Sequence, residues 1–253
     1  EIKVYEALHP KTKIIAEYKP EAECLKDLQK DSTRMIIITR RLTRQEELFC
    51  KDKYHFIPGT GLVAFDAIAL VVNKESPDTI IYQADLRSIM DGSVGGNKKV
   101  VFDGVSGSSI FRYIDDSVLR GKPIDTNRVF GVNGSDAVLK SVERDKNLIG
   151  LVGVSWIGNP EDTSQMSFLM KVQIASVNCS CPEKALVKPY QYNILTLRYP
   201  YVRGIYYILK ENYFGLGSGF ANFLESERGQ LIFKRAYLGP AKINFLVRTA
   251  TTN

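Results

Sequence analysis

The stretch Val100–Tyr113, VVFDGVSGSSIFRY, most narrows what this chain can fold into. Val100, Val101 and Phe102 read as the end of a β-strand. Ile110, Phe111, Tyr113 and Ile114 supply the apolar positions of a helix, and the small residues between are the connecting loop. A strand that runs through a short polar loop into a helix is the unit of α/β folds. Gly104 and Gly107 allow backbone angles that other residues resist. Ser106, Ser108 and Ser109 bring hydroxyls to a helix start, whose unpaired N–H groups and positive dipole suit an anion. Arg112, near the first turn, adds a donor of the kind that phosphate and carboxylate accept. A Ser-capped helix with a solvated arginine uses the same residues, and both readings stand at this point.

The alternation continues along the chain. Strands of roughly four to seven residues alternate with helices of about ten, the α/β pattern. Strands are predicted at Lys13–Tyr18, Met35–Ile38, Leu62–Val72, Arg128–Val132, Leu148–Val154, Lys171–Val177, Tyr192–Leu197, Gly204–Leu209 and Ile243–Val247. Helices are predicted at Glu21–Lys30, after Thr43 with Glu46 completing a capping box, over ADLRSIM, at Asp136–Arg144, and at Gly219–Glu225 and Glu227–Ala236. There are more strands than one compact sheet needs. Two α/β lobes joined by two crossing segments, Leu62–Asn73 and Tyr192–Leu209, fit better. Ligands in such folds sit at the C-terminal ends of strands beside helix N-termini. Thr39-Arg40, after Met35–Ile38, and Ser106–Ser109 both hold that position, one in each lobe.

Composition excludes several function classes. With 44% hydrophobic and 25% charged residues the 253-residue chain is an ordinary globular protein, and no apolar run reaches membrane-span length. The net charge of +6 favours anionic partners weakly. Basic residues are interleaved with acids, so no nucleic-acid-binding arm is present. With two histidines, no Ser-His-Asp or Cys-His constellation and no zinc site is supported, and neither enzyme activity nor a cofactor is expected. Of the four cysteines, Cys179 and Cys181 lie one residue apart, a spacing unlike C-x-x-C, and all are expected to be buried or incidental thiols. Gly215-Leu216-Gly217-Ser218-Gly219 superficially resembles a dinucleotide loop, but no second βα unit follows and no ribose-binding acid is placed. Docking of the following helix is the better account of these glycines. The chain starts at Glu1 rather than Met, so its compartment is not readable from the terminus.

At this point the residues resemble a known family. KTKIIAEYKPEAECLKDL, MIIITRRLTRQE, FDAIALVVN, DLRSIMDGSV, DGVSGSSIFRY, NLIGLVGVSW and YPYVRGIYYIL with GFANFLESERGQLIFKRAYLGPA follow one another in the family's order. The chain is similar to the phosphate-specific solute-binding proteins of bacterial ABC transporters, in the form found in Bacteroidetes-type organisms. The resemblance covers nearly the whole chain, and the last segment is the most specific. It departs from the family at the N-terminus, where a strand and a Thr- or Ser-bearing loop normally precede the position of Ile2. Thr39-Arg40 stands where many members have Ser-Asp. Val105 is an extra residue in the D-G-S-G-T loop, and Ser108 replaces its threonine. The arginine usual before that loop has no counterpart, and Arg112 is the candidate replacement.

The resemblance implies a type II periplasmic-binding-protein fold, α/β and two-lobed with two crossing strands. Residues 1–71 and 203–253 would form one lobe and 72–202 the other. It implies an extracytoplasmic protein that holds inorganic phosphate or a similar oxyanion between its lobes. The implied partners are ABC transporter permease subunits, with the membrane reached only through a lipid anchor outside this sequence. The alternative is a degenerate or sensor-type two-lobe protein that binds another anion or none. The expected ligand contacts are Thr39, Arg40, Ser106, Ser108, Ser109 and Arg112. Asp103 is either the acceptor for the proton of hydrogen phosphate or a loop-capping carboxylate. With Arg40 in place of the family's acidic residue, a site that tolerates phosphate and sulfate alike is expected.

Overall fold

A computed structural model describes residues 1–30, 33–104, 108–159 and 161–242. The strands are β1 (Met35–Ile38), β2 (Gly59–Asn73), β3 (Ile80–Ile81), β4 (Lys99–Asp103), β5 (Val129–Val132), β6 (Leu148–Gly153), β7 (Val172–Ile174), β8 (Ser176–Asn178), β9 (Leu186–Val187), β10 (Val202–Leu209) and β11 (Gly239–Pro240). The helices are α1 (Ile2–Leu8), α2 (Glu21–Gln29), α3 (Arg44–Tyr54), α4 (Gln83–Met90), α5 (Ser109–Tyr113), α6 (Ser135–Arg144), α7 (Thr163–Leu169), α8 (Gln191–Leu195), α9 (Leu216–Glu225) and α10 (Glu227–Arg235). Ile114–Leu119 continues α5 as a π-helix. None of the described helices is long and apolar enough to cross a membrane.

Strand β2 makes the two-lobe architecture. It is 15 residues long and almost wholly buried beyond Val63. Its first part, Gly59–Ala67, pairs antiparallel with β10, which in turn pairs with β1. From Ile68 it changes partner and pairs with β6, then also with β7. Strand β6 continues into parallel β4 and β5. One strand thus belongs to both lobes, and the sheet order is β1-β10-β2-β6-β4-β5. Two tyrosines fix the switch. The Ile68 N–H donates to the Tyr201 carbonyl at 2.9 Å, and the fully buried Tyr199 hydroxyl donates to the Ile68 carbonyl at 2.9 Å.

The period-2 alternation of side chains explains the layers around β4 and β6. Val100, Phe102, Ile149 and Leu151 face one core with Leu86 and Met90 of α4 and Ile114, Val118 and Leu119 of the π-helix. Val101, Leu148 and Val152 face the other, with Val138, Leu139 and Val142 of α6. In the first lobe, α2 and α3 cover β1 and β10 through Leu28, Ile36, Ile38, Cys50 and Ile208. Tyr5 of α1 joins the opposite face, its ring meeting Phe220 and Phe223 of α9 edge-on at 5.2 and 5.4 Å.

Four local expectations are corrected. Residues 13–18 form no strand: Ile15 and Tyr18 are exposed, so the segment buries no apolar face that would hold it in a sheet. Tyr192–Leu197 is not extended. Gln191–Leu195 is a helix that buries Ile194, so tertiary packing overrides the β-propensity of its aromatic and branched residues, and the second crossing is β10 alone. Lys171–Val177 is broken at Ala175, because β7 pairs with β2 whereas β8 pairs with β3 and β9. Cys179 and Cys181 are not free thiols but form a disulfide with Cα atoms 5.1 Å apart. The predicted strand Ile243–Val247 and Ser106 lie outside the described residues.

Gly104 has a different role from the one its loop position suggests. It needs no left-handed backbone; instead a Cβ there would overlap the Cα of Gly131 on the neighbouring strand. The ends of β4 and β5 meet backbone to backbone. Gly104→Ala is therefore expected to destabilise the protein by about 1–3 kcal/mol through overpacking. Gly95→Ala, where a Cβ meets nothing, should stay within about 0.5 kcal/mol. Urea denaturation of the two variants measures the difference.

Candidate functional site

The site begins with a charge in an apolar strand. Asp66 lies in the middle of β2 and is 5% exposed. Its partner is set by sheet register, since Arg203 of β10 stands directly opposite. Arg203 donates to Asp66 Oδ2 from Nε at 2.9 Å and from Nη2 at 2.7 Å. Both side chains are buried, so this pair is desolvated and its geometry is tightly held. The third arginine donor, Nη1, reaches across to Ser109 Oγ at 3.0 Å at the start of α5. Asp66 Oδ1 is also buried and has no hydrogen-bond partner among the described residues.

This pair forms one wall of a cavity of about 200 Å³. Ser108, Ser109, Ser135, Ser155, Trp156 and Asp103 line it as well. They come from the C-terminal ends of β4 and β6 and from the N-terminal ends of α5 and α6. Ser108 caps α5 by accepting from the Phe111 N–H at 3.2 Å and donates to the Asp103 carbonyl at 2.8 Å. Ser109 Oγ accepts from Arg203, which leaves its own proton for another acceptor. Asp103 Oδ1 accepts from the Gly134 N–H at 3.1 Å and so holds the loop that starts α6. Gly134 has a φ of 87°, and Ser135 after it is buried in the first turn of α6. A helix start of this kind presents unpaired N–H groups to an anion. Beside the cavity, Tyr113 donates to the Pro200 carbonyl at 3.2 Å. Burial pushes its phenol up to about 12, against the pull of Arg203, so it is a neutral donor.

The residues singled out in the sequence divide into two groups. Ser108, Ser109 and Asp103 line the cavity. Thr39, Arg40 and Arg112 gather elsewhere, around the carboxylate of Glu21 at the start of α2. Glu21 Oε2 accepts from the Thr39 N–H at 3.0 Å and the Thr39 hydroxyl at 2.9 Å. Oε1 accepts from Arg112 Nε at 2.6 Å and faces Arg40 Nε at 3.5 Å. Arg40 also makes a bidentate pair with Glu46, 2.7 Å on each arm, which raises its already high pKa. Their donors are thus already engaged by an internal carboxylate.

Sequence reasoning missed Asp66, Arg203 and Ser135. A signal existed for the first two: one acid in LVAFDAIALVV and one arginine in YVRGIYYIL are charges in runs that are otherwise apolar. A charge in a buried strand demands a partner. In the glycine loop before α9, a carboxylate of the chain already takes a helix-start donor. Glu211 Oε2 accepts from the Ser218 N–H at 3.2 Å, and a Cβ on Gly217 would strike Leu209 and Glu211. These glycines dock α9. Among the described residues one cluster has metal-ligand spacing, Cys179, Cys181 and Glu183, and its two sulfurs are bonded to each other.

Removing one member of a buried ion pair strands the other. Arg203→Ala is expected to destabilise the fold by about 3–5 kcal/mol. Combining it with Asp66→Ala should lose clearly less than the sum of the single variants, which a double-mutant cycle in guanidinium chloride measures.

No curated protein matches the chain in sequence. Among solved structures, it is similar to a protein from Clostridium perfringens described as a phosphate ABC transporter substrate-binding protein with bound phosphate, with 20% identity, a TM-score of 0.76, and 95% of this chain and 93% of that chain covered. An ABC-type phosphate transport receptor from Vibrio cholerae is 21% identical with a TM-score of 0.69, over 94% of this chain and 92% of that one. PstS from Borrelia burgdorferi is 18% identical with a TM-score of 0.58, over 94% and 91%. At these identities the likeness concerns the fold. A family described as a PBP superfamily domain matches residues 1–228. With the two lobes, the shared strand and the cleft-side cavity, the chain belongs to the PBP superfamily.

Proposed function

We propose that this protein is an extracytoplasmic solute-binding protein that takes up inorganic phosphate between its lobes and hands it to the permease subunits of an ABC transporter. Asp66 carries this reading. Asp66 lines the cavity beside a fixed arginine and several serine hydroxyls, and its Oδ1 is a buried acceptor without a donor among the described residues. A buried acceptor left without a donor is costly, so a ligand that brings a proton is favoured there. Hydrogen phosphate offers both charge for Arg203 and an O–H for Asp66. Sulfate offers the charge but no proton, and its oxygen would face Asp66 as a buried like charge. The tolerance of both dianions expected from Arg40 is therefore replaced by a preference for phosphate, with Asp66 rather than Asp103 as the acceptor.

Ser108, Ser109 and Ser135 supply hydroxyl and helix-start donors, and Ser106 remains a proposed contact. Arg40, Arg112 and Thr39 act at one remove, through Glu21. The lobe boundary is drawn where β2 changes partner, between Ala67 and Ile68, and again near Val202, close to the 71/72 and 202/203 divisions read from the sequence. The Clostridium perfringens relative, which holds phosphate, supports the ligand class. An envelope location with a lipid anchor preceding Glu1 is part of the same proposal, and no catalytic step is assigned.

Isothermal titration with phosphate and with sulfate tests this reading. Phosphate should be preferred at least about a hundredfold, or roughly 2.7 kcal/mol. Asp66→Asn should narrow the gap mainly by improving sulfate, and equal affinities in the unmutated protein would overturn the assignment of Asp66. Trp156 is the single tryptophan and lines the cavity, so its emission should change on adding phosphate and stay constant on adding a dinucleotide.

A further inference from the structure

The cluster around Glu21 joins residues from both lobes. Glu21, Thr39 and Arg40 belong to α2 and the end of β1 in the first lobe. Arg112 belongs to α5, which follows β4 in the second. Arg112 crosses the cleft with two groups: Nε donates to Glu21 Oε1 at 2.6 Å, and Nη2 donates to Thr39 Oγ1 at 3.2 Å. The Glu21 side chain is only 5% exposed, whereas Arg112 is 27% exposed. Three residues earlier on the same short helix, Ser109 is held by Arg203 and lines the cavity. Helix α5 is thus fastened at one end to the crossing strands and at the other to the first lobe.

The cations have second partners that do not cross the cleft. Arg112 also pairs with Asp116 on its own helix, Nη1 to Oδ2 at 3.2 Å. Arg40 keeps Glu46 within the first lobe. When the lobes part, each arginine retains a carboxylate. Glu21 loses Arg112 but keeps Thr39 and Arg40, and it regains water. The contact is therefore strong enough to orient the lobes and can still be undone, as a two-position element requires.

We infer that Glu21 is an internal anion that latches the lobes, holding the unliganded protein partly closed and positioning the Ser108–Ser109 helix start over the cavity. Glu21 is a positioning residue and touches no ligand. By holding the binding-competent form populated, it raises the apparent affinity of whatever the cavity takes. The inference rests on the phosphate reading only where affinity is measured.

Small-angle scattering of the ligand-free protein tests the latch directly. Glu21→Gln, nearly isosteric, should increase the radius of gyration while circular dichroism stays unchanged. Arg112→Gln, altering a partly exposed side chain on the other lobe, should reproduce the increase, so the test does not depend on the folding of one variant. Saturating inorganic phosphate should restore the compact form in both, and their phosphate affinity should fall by about tenfold. Scattering curves identical to the unmutated protein in both variants would overturn the latch, whatever the affinities. Expansion in both variants with no phosphate binding even in the unmutated protein would support the latch and refute the ligand.

Discussion

The structure depends on one desolvated ion pair. A carboxylate in the middle of a strand buried on both faces is tolerated only if a cation is held beside it, and the antiparallel register of β2 and β10 puts Arg203 opposite Asp66. This happens where the sheet passes from one lobe to the other. The pair cross-links the two strands that connect the lobes, so whatever engages it also acts on the connection. The arginine extends the link to Ser109 and, through it, to the start of α5.

Two kinds of charge work in this cleft. Asp66 and Arg203 are spent on each other only in part, because one carboxylate oxygen stays without a donor. Around Glu21 the charges are matched by more donors than one carboxylate needs, and the surplus is taken by Glu46 and Asp116. The first arrangement is the one we propose receives a small protonated anion. The second already contains its anion, as part of the chain. This difference explains why residues with the right chemistry for phosphate lie in two places.

The fold was largely legible because it rests on periodicity and punctuation. The capping box of Thr43 and Glu46, the apolar run of β2, and the strand and helix at the two ends of Val100–Tyr113 are local signals, and each is found in place. Residues 13–18 and 192–197 depart from their β-propensity because short apolar segments take their conformation from context: the first leaves Ile15 and Tyr18 exposed, and the second buries Ile194 as a helix. The site was half legible. Ser108, Ser109 and Asp103 are adjacent in sequence to the loop that drew attention. Asp66 and Arg203 are separated by more than half the chain, and only strand register unites them. Arg40 and Arg112 have the expected chemistry, but no local pattern reveals that Glu21 stands among them.

Glu211, in the connection from β10 to α9, bears on where an anion can settle. A basic protein with several helix starts and glycine loops offers many places where a dianion could condense, and its binding isotherm could be a sum of weak events. Here the carboxylate of Glu211 accepts from the Ser218 N–H in the first turn of α9, as that of Glu21 accepts from the N–H and hydroxyl of Thr39. The chain has answered its own electrostatic invitations with covalently attached anions, which cannot diffuse away. A dissolved anion therefore competes for these places against a tethered one at very high effective concentration. At these two places the tethered carboxylate holds the advantage over an anion from solution.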